Sequence, residues 1–296
     1  MTHSRRCQLE PQETRSEAGL RTFANERLKP VFPLLVATVS ALALTCHGQS
    51  QVARYKQHVA QGLELHKQGR YAEAAAAYDI ALREVERQLG PDDLAAAEVL
   101  VYIGCLHSAQ QEYAAAQAAF ERALAITEKA RAPEDAWLGL VLTNLALAQQ
   151  KQGYNGRAEL VYRRALAILL KTLGPGDLYT AVAELGMAKL LVGQRRNTEA
   201  EPLFEAAIPV LETKAADDPN LVIAIINLAE AYRIDGLYAK AEPFYRRALA
   251  IVTQSPTFQT DEVSQGLRHF PEMLRKMKRK SEARDLDAQL KAILPR

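Results

Sequence analysis

The chain has 296 residues, of which 48% are hydrophobic and 24% are charged, as in ordinary soluble folded proteins. Its 37 basic and 35 acidic residues nearly balance, which argues against nucleic acid as a partner, because phosphate binding needs a concentrated positive face. Alanine-rich runs at 72–77 and 114–119 favour helix, and Val, Ile and Thr form no alternating strand pattern. The composition therefore predicts an all-α protein.

The N-terminal tail, residues 1–46, resembles a secretory signal. Three basic residues precede an apolar run at 31–44, and small and polar residues follow it, which is the order of a signal peptide. The run includes Pro33 and is shorter than the roughly 20 residues that a membrane-spanning helix needs. We therefore expect an extracytoplasmic protein, periplasmic or secreted, that contacts a membrane only through this segment or a lipid.

Processing of the tail is open between three alternatives. The segment 41–43, Ala-Leu-Ala, offers small residues to an ordinary signal peptidase. The segment 42–46 resembles a bacterial lipoprotein box, in which Cys46 would become the lipidated first residue, although Thr45 stands where Gly, Ala or Ser is usual. The third alternative is that the apolar run is retained as an N-terminal anchor.

From residue 51 onwards the sequence repeats itself about every 42 residues. The heptapeptide YRRALAI occurs at 162–168 and again at 245–251. An Ala recurs at spacings of 42, 42, 42, 41 and 42, at Ala74, Ala116, Ala158, Ala200, Ala241 and Ala283. Four residues after it comes an aromatic residue, at Tyr78, Phe120, Tyr162, Phe204 and Tyr245. Twelve residues before it comes a small residue, at Gly62, Gly104, Ala146, Ala188 and Ala229.

These recurring residues predict two antiparallel helices in each unit. The Ala and the aromatic residue share one helical face, so a neighbouring helix can approach closely while the ring fills the gap. The first helix ends at Gly69, Gly153 or Gly236, and Gln111 and Arg195 take that place in other units. The predicted units cover about 51–91, 92–133, 134–175, 176–217, 218–258 and 259–296, and the sixth has Asp287 in place of the aromatic residue, as expected of a terminal cap.

This arrangement resembles the tetratricopeptide repeat. The 42-residue period, the Leu-Gly-Pro-Asp junction at 89–92 and the phrases at 143–146 and 226–229 resemble the kinesin light chain subclass of that family. The resemblance implies that residues 51–296 form a right-handed α-solenoid of about six helix-turn-helix repeats. It also implies that the first helices line a concave face where peptides bind, with an Asn two positions before the small residue bonding the peptide backbone. Asn144 and Asn227 hold that place here, and Tyr102 holds it in the second unit.

Other residues on the same helical faces complete the predicted groove. Its apolar floor comprises Leu140, Val182, Leu185, Ile223 and Ile226, and its polar edge comprises Gln150, Lys151 and Arg233. An apolar floor with a basic edge suits an extended or helical peptide that carries hydrophobic anchors and some acidic residues. The alternative is that some of these apolar residues pack between helices, because long helices bury wide faces.

The sequence contains no motif of a metalloprotease, a hydrolase nucleophile, a phosphate-binding loop or a paired-cysteine metal site. We therefore predict no catalytic residue, metal site or cofactor, and a buried structural role for Cys105. The main hypothesis is a non-enzymatic scaffold or adaptor that binds a peptide of a partner protein in the groove. The alternatives are a structural or self-associating envelope component that uses the edges and ends of the solenoid, and an enzyme subunit or small-ligand carrier.

Overall fold

The computed structural model describes residues 46–130, 135–254, 258 and 260–294. Over these residues the chain forms twelve α-helices and no strand, which confirms the all-α prediction. The helices are α1 (Cys46–Lys67), α2 (Tyr71–Gln88), α3 (Leu94–Ala109), α4 (Tyr113–Ala130), α5 (Ala136–Lys151), α6 (Asn155–Thr172), α7 (Leu178–Gly193), α8 (Asn197–Lys214), α9 (Pro219–Ile234), α10 (Tyr238–Gln254), α11 (Asp261–Lys276) and α12 (Lys280–Ile293).

The predictions about the N-terminal tail are not tested by this part of the chain. Residues 1–45, with the apolar run 31–44, and the side chain of Cys46 lie outside the described residues. Among the helices that are described, none combines the length and the apolar character that crossing a bilayer requires.

The helices form six consecutive pairs, and each helix packs mainly against its partner in the pair and against the next pair along the chain. The first helices of neighbouring pairs also touch one another, as α3 touches α5 and α9 touches α11. Between the second helices of neighbouring pairs, the described residues make no comparable contact. The first helices therefore line the inner, concave face of an α-solenoid, which confirms the predicted repeat architecture.

The packing of each pair depends on a small residue placed opposite a buried ring. A Cβ atom placed on Gly104 would lie 2.5 Å from Cε1 of Phe120, and one placed on Gly62 would lie 2.4 Å from Cε1 of Tyr78. The five recurring rings are buried, with at most 1% of any of them exposed. The small residues are needed because a larger side chain would hold the two helices apart.

Each turn within a pair contains one residue in the left-handed region. Gly69, Gly153 and Gly236 have φ angles of 75°, 84° and 75°, while Gln111 and Arg195 adopt 63° and 61° in the equivalent turns. The first helices of the second to fifth pairs begin with an Asp whose carboxylate accepts a hydrogen bond of 2.8 Å from the backbone N–H two residues later, at Asp93, Asp135, Asp177 and Asp218. Both ends of the first helices in the second to fifth pairs are thereby fixed in the same way.

One core position in α7 breaks the repeat. Glu184 occupies the place held by the buried residues Leu100, Leu142, Ile225 and Leu267 in other pairs. Only 5% of Glu184 is exposed, and its Oε2 atom has no hydrogen-bond partner among the described residues. Burial raises the pKa of this carboxyl from its ordinary value of 4.5 to about 7.

The close approach at Gly104 predicts that Gly104→Ala destabilises the protein by about 1–3 kcal/mol, because the new methyl group overlaps the ring of Phe120. Gly156 is the control, since it lies in the first turn of α6 and a Cβ atom there would meet nothing within 4 Å. Gly156→Ala is expected to stabilise the protein by about 0.5–1 kcal/mol through helix propensity. Thermal unfolding followed by circular dichroism checks both variants, and a shift of Tm in the same direction for both would contradict the packing argument.

The buried carboxyl of Glu184 predicts a pH-dependent stability. The folded state holds its proton more tightly than the unfolded state, so this contribution is complete below pH 4.5 and is lost as the pH rises towards 7. We expect the free energy of unfolding to fall by about 1–3 kcal/mol over that interval. Glu184→Leu should remove the fall and stabilise the protein at neutral pH, whereas Glu205→Gln, at an exposed position, should retain it. If the free energy of unfolding, measured with urea, depends on pH in the same way in the wild type and in Glu184→Leu, then Glu184 is not the source of the pH dependence.

Candidate functional site

The inner face carries a groove with a volume of about 780 Å³. It runs diagonally across the first helices, from the last turns of α3 and α5 to the first turns of α9 and α11. One end is lined by Ser108, Gln150 and Lys151, and the other by Asn220, Asp261 and Glu262. A ligand that fills the groove would therefore contact five helix pairs, from the second to the sixth.

The floor of the groove is apolar except for a few polar groups. Leu147, Val182, Leu185 and Ile223 line it. The ring of Tyr162 also reaches the floor, where its hydroxyl donates a hydrogen bond of 3.3 Å to Oε1 of Gln150. Gly186 permits this approach, because a Cβ atom there would lie 2.6 Å from the hydroxyl oxygen of Tyr162.

Asn144 is a buried polar residue of the groove whose amide nitrogen lacks a partner among the described residues. Only 3% of the residue is exposed, and its Nδ2 atom makes no hydrogen bond to any described residue. The neighbouring Thr143 differs, because its hydroxyl donates to the carbonyl oxygen of Gly139 at 2.8 Å. A buried amide without a partner costs about 1–3 kcal/mol, and a carbonyl oxygen placed within hydrogen-bond distance of Nδ2 would remove that cost.

Six of the predicted groove residues line this groove, namely Asn144, Gln150, Lys151, Val182, Leu185 and Ile223. The other five, Tyr102, Leu140, Ile226, Asn227 and Arg233, do not. Tyr102 stacks on Tyr78 with ring centroids 5.7 Å apart, and Leu140 is buried in the core. The alternative that some apolar residues pack between helices therefore describes Leu140 and Ile226, whereas Leu185 and Ile223 belong to the same core and also line the groove.

The fifth pair departs from the prediction because α11 covers part of α9. A Cβ atom placed on Gly266 would lie 2.3 Å from Cγ2 of Ile226, so α11 rests directly on the face of α9 that the prediction assigned to the groove. Ile226 is consequently only 3% exposed. Asn227 lies beside it, half-buried, with its Nδ2 atom unpaired within the described structure but outside the groove.

The predicted basic edge is present only in part. Lys151 lines the groove, but Arg233 donates to Glu230 at 2.7 Å in a largely buried ion pair. The Glu230 carboxylate also accepts from the hydroxyl of Tyr245 and lies 3.0 Å from Nδ1 of His269. Arg233 is thereby held within the protein, away from a ligand.

Sequence reasoning missed three acidic groove residues, Asp218, Asp261 and Glu262. Asp218 caps α9, and burial raises the pKa of its carboxyl while the hydrogen bonds from Asn220 oppose that rise. Glu262 forms an ion pair of 2.6 Å with Lys189, which joins α7 to α11 across the groove. The sequence shows that an Asp lies at the start of α9 and of α11. It does not show that the superhelical twist brings these two helix starts to the groove.

Comparison with known proteins identifies the repeat. The tetratricopeptide repeat family matches residues 61–129 and 179–254, and a second tetratricopeptide repeat description matches 141–175. The chain belongs to the tetratricopeptide repeat family. No curated protein matches this tetratricopeptide repeat protein by sequence.

Solved structures agree on the fold. BtubC (BKLC) from P. vanneervenii is 20% identical, with 70% of this chain and 91% of that chain covered and a TM-score of 0.57. A putative kinesin light chain from Podosopora anserina is 18% identical, with coverage of 68% and 95% and a TM-score of 0.57. A Rap protein complexed with competence and sporulation factor is 16% identical, with coverage of 81% and 74% and a TM-score of 0.58. The resemblance to kinesin light chain-like repeats is thus confirmed, and at these identities it concerns the fold alone.

The unpaired amide predicts that Asn144→Leu raises the free energy of unfolding by about 1 kcal/mol, because an apolar side chain leaves no buried donor unsatisfied. Asn197 provides the contrast, since it is equally buried but its Nδ2 donates to Oδ1 of Asp235 at 2.7 Å. Asn197→Leu should lower the free energy of unfolding by about 1–3 kcal/mol. Urea unfolding of both variants makes the comparison, and an equal loss in each would show that Asn144 is already satisfied.

Proposed function

We propose that this tetratricopeptide repeat protein is a non-enzymatic scaffold that binds an extended peptide segment of a partner protein in the groove. Tetratricopeptide repeats support a role in protein interaction in general. The observation that carries the specific proposal is Asn144, whose buried amide lacks a partner while its neighbours form an apolar floor. Nine buried side-chain polar atoms lack a hydrogen-bond partner among the described residues, and Nδ2 of Asn144 is the one that belongs to a residue of the groove.

A peptide backbone suits this site for a physical reason. Every peptide unit offers one carbonyl acceptor and one N–H donor, so an extended segment can satisfy the Asn144 amide wherever its side chains find apolar contacts. Leu147, Val182 and Leu185 offer such contacts. The diagonal course over five first helices favours an extended chain over a compact small molecule.

The groove is a poor setting for covalent catalysis. Its one thiol belongs to Cys105, and burial raises the pKa of that thiol to about 12, so the reactive thiolate is scarce at neutral pH. No His is among the residues that line the groove in the described part of the chain. These observations support binding over chemistry as the role of the site.

Export from the cytoplasm is a further part of the proposal and is supported only by the signal-like tail. Mass spectrometry of the mature N-terminus tests it in cells that produce the protein. Cleavage near Ala43, or a lipid on Cys46, would support export, whereas an intact N-terminus in the cytoplasmic fraction would contradict it.

The groove proposal is tested by selecting binders for the full chain from a phage-displayed library of random dodecapeptides. Affinities of the enriched peptides are then measured by fluorescence anisotropy. Val182→Arg should weaken binding at least about tenfold, because the long cationic side chain would occupy the apolar floor. Leu160→Arg is the control, since Leu160 lies on the second helix α6 and is 70% exposed. We expect it to leave the affinity unchanged.

Three outcomes would count against the groove proposal or favour an alternative to it. No enrichment of peptides would favour a folded partner surface or a small ligand. Equal binding by Val182→Arg and the wild type would move the site elsewhere. Concentration-dependent mass, measured by analytical ultracentrifugation and abolished by Leu160→Arg, would favour the alternative of self-association through the outer face.

A further inference from the structure

The two ends of the groove carry unpaired charges of opposite sign. Lys151, in the last turn of α5, is exposed at one end, and Asp261, in the first turn of α11, is exposed at the other. Within the described part of the chain, neither side chain has an oppositely charged partner. They therefore remain available to charges on a ligand.

The other charged groups of the groove are already engaged. Asp218 accepts the backbone N–H of Asn220 as the cap of α9. Lys189 and Glu262 neutralise each other across the middle of the groove. Opposite charges at helix ends also complement the helix dipoles, but that effect amounts to about half a charge and fades within one turn. The full charges on Lys151 and Asp261 therefore exceed the helix dipoles at the two ends, and the carboxylate of Asp218 adds to the negative charge on the side of Asp261.

We propose that the groove binds an extended segment that carries an acidic residue on one side of its apolar anchors and a basic residue on the other. Lys151 pairs with the acidic residue and Asp261 with the basic one, so the two charges fix the direction in which the segment lies. The unpaired amide of Asn144 bonds the backbone between them. This inference rests on the proposed function, because it specifies the chemistry of the peptide that the groove holds.

The geometry sets an upper limit on the length of the segment. Lys151 lies on α5 and Asp261 on α11, which are three helix spacings apart, and packed helices have axes about 8–10 Å apart, which gives about 30 Å across the helices. One charge lies in a last turn and the other in a first turn, which adds an offset of about 20 Å along the helix axes, so the diagonal is at most about 36 Å. An extended chain advances about 3.3 Å per residue, so about eleven residues span that distance. Dodecapeptides are therefore long enough to reach both charges.

The test compares peptide selections on the full-length wild type and on the double reversal Lys151→Glu, Asp261→Lys. The wild type should enrich peptides with acidic and basic residues on opposite sides of apolar anchors, with one order prevailing along the chain. The reversed protein should enrich the opposite order. Each protein should bind its own peptides about tenfold more tightly than those of the other at low salt, and the preference should shrink in high salt.

A second double reversal, Lys214→Glu, Asp285→Lys, is the matched control. It makes the same change of charge at exposed positions on α8 and α12, away from the groove, and should retain the wild-type order. The inference fails if the order is unchanged in the groove reversal, or if selected peptides show no charge order. Different results would contradict the proposed function itself: either no peptides are enriched, or the enriched peptides bind the Val182→Arg variant as well as the wild type.

Discussion

The contact between a buried ring and a small residue on the partner helix is the constraint on which the solenoid depends. Phe120 against Gly104 and Tyr78 against Gly62 leave no room for a side chain on the first helix, and the third to fifth pairs carry Ala at that position. A buried ring recurs in each of the first five pairs, and repeats that pack alike are each added with a small, similar rotation. A constant rotation curves the row of first helices, and this curvature produces the concave face.

The sixth pair turns that open face into a bounded groove. Gly266 occupies the place of Ala183 and Ala224 in the preceding pairs, and its lack of a side chain lets α11 rest on Ile226. The start of α11 is thereby brought within reach of α7, where Glu262 pairs with Lys189. A residue without a side chain thus governs which parts of α9 a ligand can touch.

The buried polar residues Asn144 and Glu184 have different roles because one lies at the groove and the other in the core. Asn144 is among the residues that line the groove, so a ligand bound there lies next to its unpaired amide. Glu184 replaces an aliphatic residue in the core, where its burial raises its pKa and weakens the fold at neutral pH. Ligand binding can offset the free-energy cost of the unpaired Asn144 amide, whereas the cost of burying the Glu184 carboxyl remains.

The sequence by itself determined the helices, their pairing and the turns between them, because these follow from contacts within about 42 residues. The spacing of Ala, aromatic and Gly residues predicted even the turns where Gln111 and Arg195 adopt a left-handed conformation. About half of the groove residues predicted from the sequence line the groove, among them Asn144, Val182 and Leu185, which lie in pairs that stack regularly. Only the tertiary structure decided the rest. Positions that match between repeats have different surroundings once α11 covers Ile226 and the twist brings Asp261 to the groove. Such contacts between distant pairs do not recur with the repeat, so the sequence carries no periodic signal of them.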